Sequence, residues 1–492
     1  MDKIQHALQS LLDRHRIVFW YDAKKELRHE YEALTLPDVH KIELDNNEFG
    51  VKHRILREEP NQKFLLYHEG PQPDVLDNWL LDVLLAHGEF KADQVSIWLS
   101  ELGLGPEFWD VVQDHLAFFK AQSRRTELKK KLNPEVETTE TVRMKMLAVC
   151  ASPSTEPRLD TILEKLLDEL AQGSDDSFRT ITRSGLDDFL WGKLEHDFGY
   201  KSDKPSRRDF AIELFKSCYA LALGEEALLS NQALVFLNRW KDSRKHYQAF
   251  EELSGQYADI LSIEQDLQSR DFRALARLDL FELIEQKILN ELVNQLVKRT
   301  ISATECQKFI WRRSSTYWFE TYQHVYNAID YASQFFAVLK ETSFNIRSLS
   351  DGIEKYTQTW YQLDQLYRKY IYHLRASRQI TLLQDLSEQV ENRYTNNYLL
   401  KLNDTWQHLI DTSQQWQIEP ITAQKDFFSH YVAGFRRKNI KVAVLISDGL
   451  RFEIGAELQK HIEREGRYTA ELESMAASLP SFTQLGMAAL LP

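Results

Sequence analysis

An aspartate at the end of an apolar run is the first residue of this sequence placed to do chemistry. Val442-Ala-Val-Leu-Ile446 is short, rich in β-branched residues and preceded by the basic turn Arg436, Arg437 and Lys438. That is the pattern of a strand buried in a parallel sheet. The run stops at Ser447-Asp448-Gly449, and a helical pattern follows from Arg451 to about Glu463. Open α/β sheets bind ligands at the carboxyl ends of their strands. A carboxylate there, beside a glycine that permits close approach, suits a metal ligand or a catalytic group. The same spacing suits a cap equally well, with Asp448 accepting from the first amides of the following helix. Arg451 could face a bound phosphate or Glu453, or form an ion pair in solvent.

Positioning Asp448 takes a sheet, and one βα unit does not make one. A mostly parallel sheet needs several such units before both faces are covered. Residues 440–492 hold a strand, a helix and a Pro-Ser-Phe-Thr turn ahead of a second helix, Gln484–Leu491. They read as the front of an α/β domain whose remainder is missing, in a truncated form of a longer protein. The alternative is a natural terminus with an edge βα unit packed on a helical body.

The amino-terminal stretch repeats the βα pattern. Residues 2–15 place Ile4, Leu8, Leu11 and Leu12 on one helical stripe. Ile17–Asp22, Val39–Leu44 and Lys63–His68 read as strands, separated by helices over Lys24–Leu34 and Phe49–Arg57. Strands alternating with short helices predict a small parallel α/β domain over residues 1–90. Asp22 and Asp45 follow strands as Asp448 does, which raises a second site against the simpler reading of caps and solvent-facing carboxylates. No glycine-rich phosphate loop follows these strands, which argues against a nucleotide fold of the usual kind.

From Asp77 to about Phe435 the pattern is helical. Leu76, Leu80, Leu81 and Leu84 form one face, and Val95, Trp98, Leu99 and Leu102 another. Breaks at Ala151–Pro157, Gly173–Ser177 and Gly199–Pro205 divide a helical domain over 91–204 from a long-helix domain over 205–438. The cations Arg124, Arg125 and Lys129–Lys131 before Asn133-Pro134 are balanced by Glu135, Glu137 and Glu140, so they read as a solvated helix face. Aromatic residues concentrate at Trp311, Tyr317, Trp318, Phe319, Tyr322 and Tyr326, beside Arg312 and Arg313. They concentrate again at Tyr356, Trp360, Tyr361, Tyr367, Tyr370 and Tyr372, with Arg368 and Lys369 interleaved. Aromatics mixed with arginine can stack single-stranded bases. At helical spacing they more commonly form core, and they also suit a partner-binding surface.

Composition narrows the function classes. At the usual ~150 residues per domain, 492 residues hold roughly three. Lys and Arg number 61 against 74 Asp and Glu, a net charge of −13. The mean field therefore does not attract nucleic acid, and DNA would need a local basic patch. No apolar run reaches membrane-spanning length and no leader pattern opens the chain, so a soluble, cytoplasmic protein is expected, without a membrane partner. Cys150, Cys218 and Cys306 are too few and dispersed for a disulfide scaffold or zinc knuckle. Helical spacing makes Cys218 a small buried hydrophobe.

The motif Ile446-Ser-Asp-Gly-Leu-Arg-Phe-Glu453, followed by Leu479-Pro-Ser-Phe-Thr483, resembles the opening of the PglZ domain of the alkaline phosphatase superfamily, found in type 1 BREX anti-phage systems. The amino-terminal and aromatic-rich helical regions are similar to the same family. The resemblance implies an alkaline phosphatase-like α/β domain starting at 439, with Asp448 as ligand to a divalent metal, Zn or Mn. It implies Thr483 as nucleophile and second metal contact, and Arg451 as a possible phosphate-binding residue. A metal on Asp448 would lower the pKa of the Thr483 hydroxyl for in-line attack on phosphorus. Zinc sites take at least three protein ligands, and the family's later Asp and His ligands lie beyond the motif, so the site is expected to be incomplete and this chain inactive alone. The implied protein is a metal-dependent phosphoester hydrolase of a BREX system, whose amino-terminal and helical parts dock other BREX proteins. A non-catalytic adaptor and a nucleic-acid-binding helical module are the alternatives.

Overall fold

The computed structural model describes residues 2–23, 25, 27–90, 94–133 and 135–492. The chain divides into two compact units, Met1–Leu253 and Ser254–Pro492.

The first unit opens with α1 (Asp2–Arg14), β1 (Ile17–Tyr21), α2 (Arg28–Ala33), β2 (Val39–Glu43), α3 (Glu48–His53), β3 (Lys63–His68), α4 (Leu81–Ala86) and β4 (Gly88–Phe90). The strands form an all-parallel sheet in the order β2-β3-β1-β4. β1 and β3 are apolar at every central position because both faces are covered. Val18, Trp20, Leu65 and Tyr67 pack against Ile4, Leu8 and Leu12 of α1 on one side. Ile17, Phe19, Phe64 and Leu66 pack against Val51, Ile55, Val83 and Leu84 on the other. The parallel α/β start is thus as the alternation predicts, with β4 added.

Local differences have local causes. The helix expected over Lys24–Leu34 is formed from Arg28; Lys24 and Glu26 lie outside the described residues, as does Pro134. The helix expected over Phe49–Arg57 is α3 followed by a π-helical turn, Arg54–Glu58. The helical face expected from Leu76 begins only at Leu81. Asn78 accepts from the Leu80 amide at 3.0 Å, an Asx turn that holds the chain out of helix, and Leu76 is 97% exposed.

Helices follow to the end of the unit, among them Thr139–Ala151 and Leu159–Ala171. The cations before Asn133 are more structural than a solvated face implies. Arg125 is buried, donating to Glu101 at 3.1 Å and to the Phe119 carbonyl, and Lys131 donates to the Thr155 carbonyl at 2.8 Å. Buried His115 bonds the Ser184 carbonyl through Nδ1 at 3.0 Å, while its Nε2 accepts from Arg143 Nε at 3.2 Å. That arrangement uses the neutral ring. Burial, with Arg143 assisting, holds the His115 pKa below its ordinary value. A base whose pKa is depressed on folding stabilises the fold above its unfolded pKa of about 6.5 and loses that contribution as pH falls. The midpoint of thermal unfolding of the first unit should therefore drop between pH 7.5 and 5.5, and drop less in His115→Gln. An equal drop in both proteins would assign the acid sensitivity to other groups.

The second unit is built on α5 (Glu282–Lys298), α6 (Ala303–Arg313), α7 (Phe319–Glu341), α8 (Tyr361–Ser377), α9 (Ile380–Asn392) and α10 (Leu400–Thr412). α7 and α8 pack along their lengths. The aromatic concentration is divided: Trp318, Tyr326, Trp360 and Tyr370 are buried, six others are half-buried, and Trp311 and Tyr372 are exposed. Arg313 is fully buried and paired with the fully buried Glu285. Trp311, Arg312 and Tyr372 are the members of the arginine–aromatic pattern that remain exposed. Cys150, Cys218 and Cys306 are all buried and unbridged. Burial pushes their thiols up, to about 11 for Cys150 and about 12 for the other two.

Candidate functional site

The residues after Thr412 carry the motif that opens the sequence argument. β5 (Thr422–Ala423) pairs in parallel with β6 (Met475–Ala476), and α11 (Phe452–Arg464) and α12 (Thr483–Ala489) complete the segment. The strand expected over Val442–Ile446 is not formed. The run takes no regular secondary structure and belongs to no ladder, and Leu445 is 97% exposed. A strand of this kind is stable only when neighbours take its amides and carbonyls and layers cover both faces. Among the described residues none does so for this run. Helix α11 matches the expectation over Arg451–Glu463, and α12 that over Gln484–Leu491.

Asp448 and Thr483, 35 residues apart in sequence, are brought together. The Thr483 hydroxyl donates to Asp448 Oδ1 at 3.4 Å, at the outer limit of a hydrogen bond, and both residues are exposed. Gly449 beside them has φ +65°, a left-handed turn that glycine adopts without strain. The cap reading of Asp448 is not realised: Arg451 occupies the N-cap of α11, and no side chain caps that helix. The segment either side of Thr483 is tied to Gln424, the residue after β5, whose side chain accepts from the Ser478 amide at 2.9 Å and donates to the Gly486 carbonyl at 3.1 Å.

Arg451 turns towards the helical bundle. Its guanidinium lies 3.1 Å from Asp364 and 3.3 Å from Glu453. Asp364 is buried on α8 and also accepts from the hydroxyls of Tyr356 at 2.7 Å, Tyr394 at 2.7 Å and Tyr398 at 3.2 Å. Burial and the adjoining Asp364 charge push all three tyrosines up. Glu457 of α11 bridges Arg368 and Lys369 of α8. Its burial alone would raise the carboxyl, but hydrogen bonds from Lys369 and Arg368 hold it below the usual range. Glu453 is fully buried, which raises its pKa despite Arg451. Sequence reasoning noticed Arg368 and Lys369 among the tyrosines but did not find Asp364 or Glu457. A lone carboxylate inside an aromatic helical stretch was the available signal.

A zinc-type centre needs at least three protein ligands. Asp448 and Thr483 offer two oxygens, and among the described residues no group of three or more His, Cys, Asp or Glu side chains is gathered for a metal. The pair therefore falls short of a metal centre. Asp22, raised as part of a second site, is buried and accepts from the Tyr67 hydroxyl at 2.9 Å and the Leu27 amide at 2.8 Å, while Asp45 is exposed. Asp22 thus serves to pin β3 and the entry to α2.

Residues 427–492 match the BREX system PglZ alkaline phosphatase-like domain. The PglZ recognition made from the motif holds, and such a domain begins at residue 427. Along 99% of its length the chain is similar, at 32% identity, to the alkaline phosphatase-like protein BrxZ of Escherichia coli O9:H4 (strain HS), of which it covers 60%. Along 97% it is similar, at 26% identity, to the alkaline phosphatase-like protein PglZ of Bacillus cereus (strain H3081.97), of which it covers 58%. The chain thus spans less than two thirds of the length of these relatives. No solved structure matches it. Among the described residues no helix is long and apolar enough to cross a membrane.

Proposed function

We propose that residues 1–492 form the scaffolding and partner-docking part of a BREX anti-phage defence protein whose PglZ domain hydrolyses a phosphoester. The observation that carries the reading is the approach of Thr483 to Asp448 at 3.4 Å inside the matched segment. Asp448 accepts a hydrogen bond from the Thr483 hydroxyl, which sets the two side by side as a metal ligand and the nucleophile beside it would be. The remaining groups of the site belong to the portion of such a protein that this chain does not span. Arg451, bound to Asp364 and Glu453, has the role of fastening the domain to the helical bundle and reaches phosphate only by leaving them. The amino-terminal α/β region and the helical regions are assigned to docking other BREX proteins in the cytoplasm. Boundaries near 90 and 204, with the PglZ domain beginning at residue 427 rather than at 439, fit that division of labour.

Hydrolysis of a chromogenic phosphodiester with added Zn²⁺ or Mn²⁺ tests the reading, using this chain, a longer form of the protein, and each carrying Asp448→Ala. Activity only in the longer form, abolished by Asp448→Ala, is the expected result. Metal-dependent activity in this chain would mean that its own residues complete the site. Silence in both forms, with tight capture of another BREX protein, would favour the non-catalytic adaptor.

A further inference from the structure

Four cations converge on one cleft of the second unit without a counter-charge. The cleft has a volume of about 240 Å³ and is lined by Arg299, Lys340, Arg393 and Lys401, with the polar Thr342 and Asn397 between them. No carboxylate lines it. Among the described residues none of the four pairs with an Asp or Glu within 4.0 Å, whereas Arg28, Lys193, Arg239 and Arg273 elsewhere on the surface each do. A cleft of about 720 Å³ in the first unit shows a different arrangement. Its cations are matched in place, Lys193 by Glu140 and Arg239 by Asp160 and Glu164.

The cleft is built from the carboxyl ends of two helices and the middle of a third helical run. Arg299 caps α5 and Lys340 lies in the last turn of α7, whereas Arg393 and Lys401 lie within one continuous helical run in which α9, a π-helical stretch (Arg393–Leu399) and α10 follow without a break. Only Arg299 and Lys340 sit at helix carboxyl ends, whose dipoles each offset about half a charge, so most of the +4 is uncompensated. The two guanidiniums are held in place by Phe336, whose ring centroid lies 5.1 Å from Arg299 and 5.7 Å from Arg393. Stacking fixes the forks before any ligand arrives. Burial and the neighbouring Arg393 lower the pKa of Arg299, as crowding of like charges requires. Arg299 also holds φ +62°, a left-handed cap that glycine would occupy without strain. An arginine is kept there at a conformational cost, which points to a use for its side chain.

We propose that this cleft binds an oligophosphate, two or three linked phosphoryl groups carrying three to four negative charges. Arg299 and Arg393 present bidentate forks to the phosphoryl oxygens, and Lys340 and Lys401 supply point charges at the rim. The volume admits the phosphate chain and leaves any attached nucleoside outside, so free triphosphate and nucleoside triphosphates share the same chemistry.

Isothermal titration of the full 492-residue chain with inorganic triphosphate, ATP, inorganic phosphate and a single-stranded oligonucleotide tests the proposal at 150 mM salt. Saturable one-to-one binding of inorganic triphosphate, much tighter than that of phosphate, is expected. Equal affinity for ATP would support the phosphate chain as the whole determinant, and tighter ATP binding would support a nucleotide source. Arg299→Gly removes one fork while relieving the left-handed strain, so the fold should keep its melting temperature and triphosphate binding should weaken about tenfold or more. Lys216→Gln, on the surface of the first unit, should change nothing. No binding of triphosphate, equal binding in Arg299→Gly, or binding of the oligonucleotide alone would each overturn the proposal.

Discussion

Replacing Glu285 by alanine is expected to destabilise the second unit by about 3–5 kcal/mol, the cost of leaving a buried charge without its partner. Glu285 and Arg313 are both fully out of solvent. Arg313 donates to Glu285 and, at 2.6 Å, to the Leu278 carbonyl, with longer contacts to the carbonyls of Leu275 and Ala276. The Tyr326 hydroxyl donates to the other carboxylate oxygen at 2.6 Å. One ion pair thus joins α5, α6 and α7 to the loop preceding α5. Burial raises the Glu285 pKa, and Arg313 opposes that rise. Equilibrium denaturation in urea, followed by tryptophan fluorescence, should show the transition of the second unit moving to lower urea while that of the first stays. Swapping both members for apolar residues, Glu285→Leu with Arg313→Met, should recover only part of the loss. The carbonyl that Arg313 serves at Leu278 would lose its donor. Full recovery, or a loss below about 1 kcal/mol in Glu285→Ala, would show that the pair contributes no more than a surface ion pair.

The second large effect is expected from Asp364→Ala, at the junction between the helical bundle and the PglZ segment. Three tyrosine hydroxyls and Arg451 share this carboxylate, and each buried donor left without an acceptor costs about 1–3 kcal/mol. Some hydroxyls will turn to water, so a net loss of about 3 kcal/mol is reasonable. The more specific consequence is local. With Arg451 released, α11 keeps the partly exposed bridge from Glu457 to Arg368 and Lys369 and the edge contacts of Phe452 with Tyr356 and Tyr361. Amide hydrogen exchange over residues 452–464 should accelerate in Asp364→Ala while exchange in α5 and α7 stays slow. Glu457→Gln should have a smaller effect, since its partners are about a third exposed. Unchanged protection of α11 in Asp364→Ala would mean that apolar packing, not this anchor, holds the segment.

What was legible in the sequence was local. β1 and β3 are runs of five and six residues whose apolar character survives at every central position, so both were readable. β4 was not, because three residues, Gly88–Phe90, carry too little pattern. Val442–Ile446 shows the opposite case: its composition specifies a strand, but a ladder needs partners that no local pattern supplies. The Asp448–Thr483 pair became visible only through family resemblance, since a separation of 35 residues has no periodic signature. Asp364 stayed hidden for the same reason. Its partners lie at positions 356, 394, 398 and 451, and only the fold makes them neighbours.

The three sequestered thiols bear on how this protein can be observed at work. With Cys150, Cys218 and Cys306 all buried and protonated well above neutral pH, none presents a thiolate to a maleimide dye or spin label. The natural sequence is already a silent background for single-site labelling. One cysteine introduced at exposed Leu445 would carry a reporter on the unladdered run beside Asp448, without first rebuilding the core.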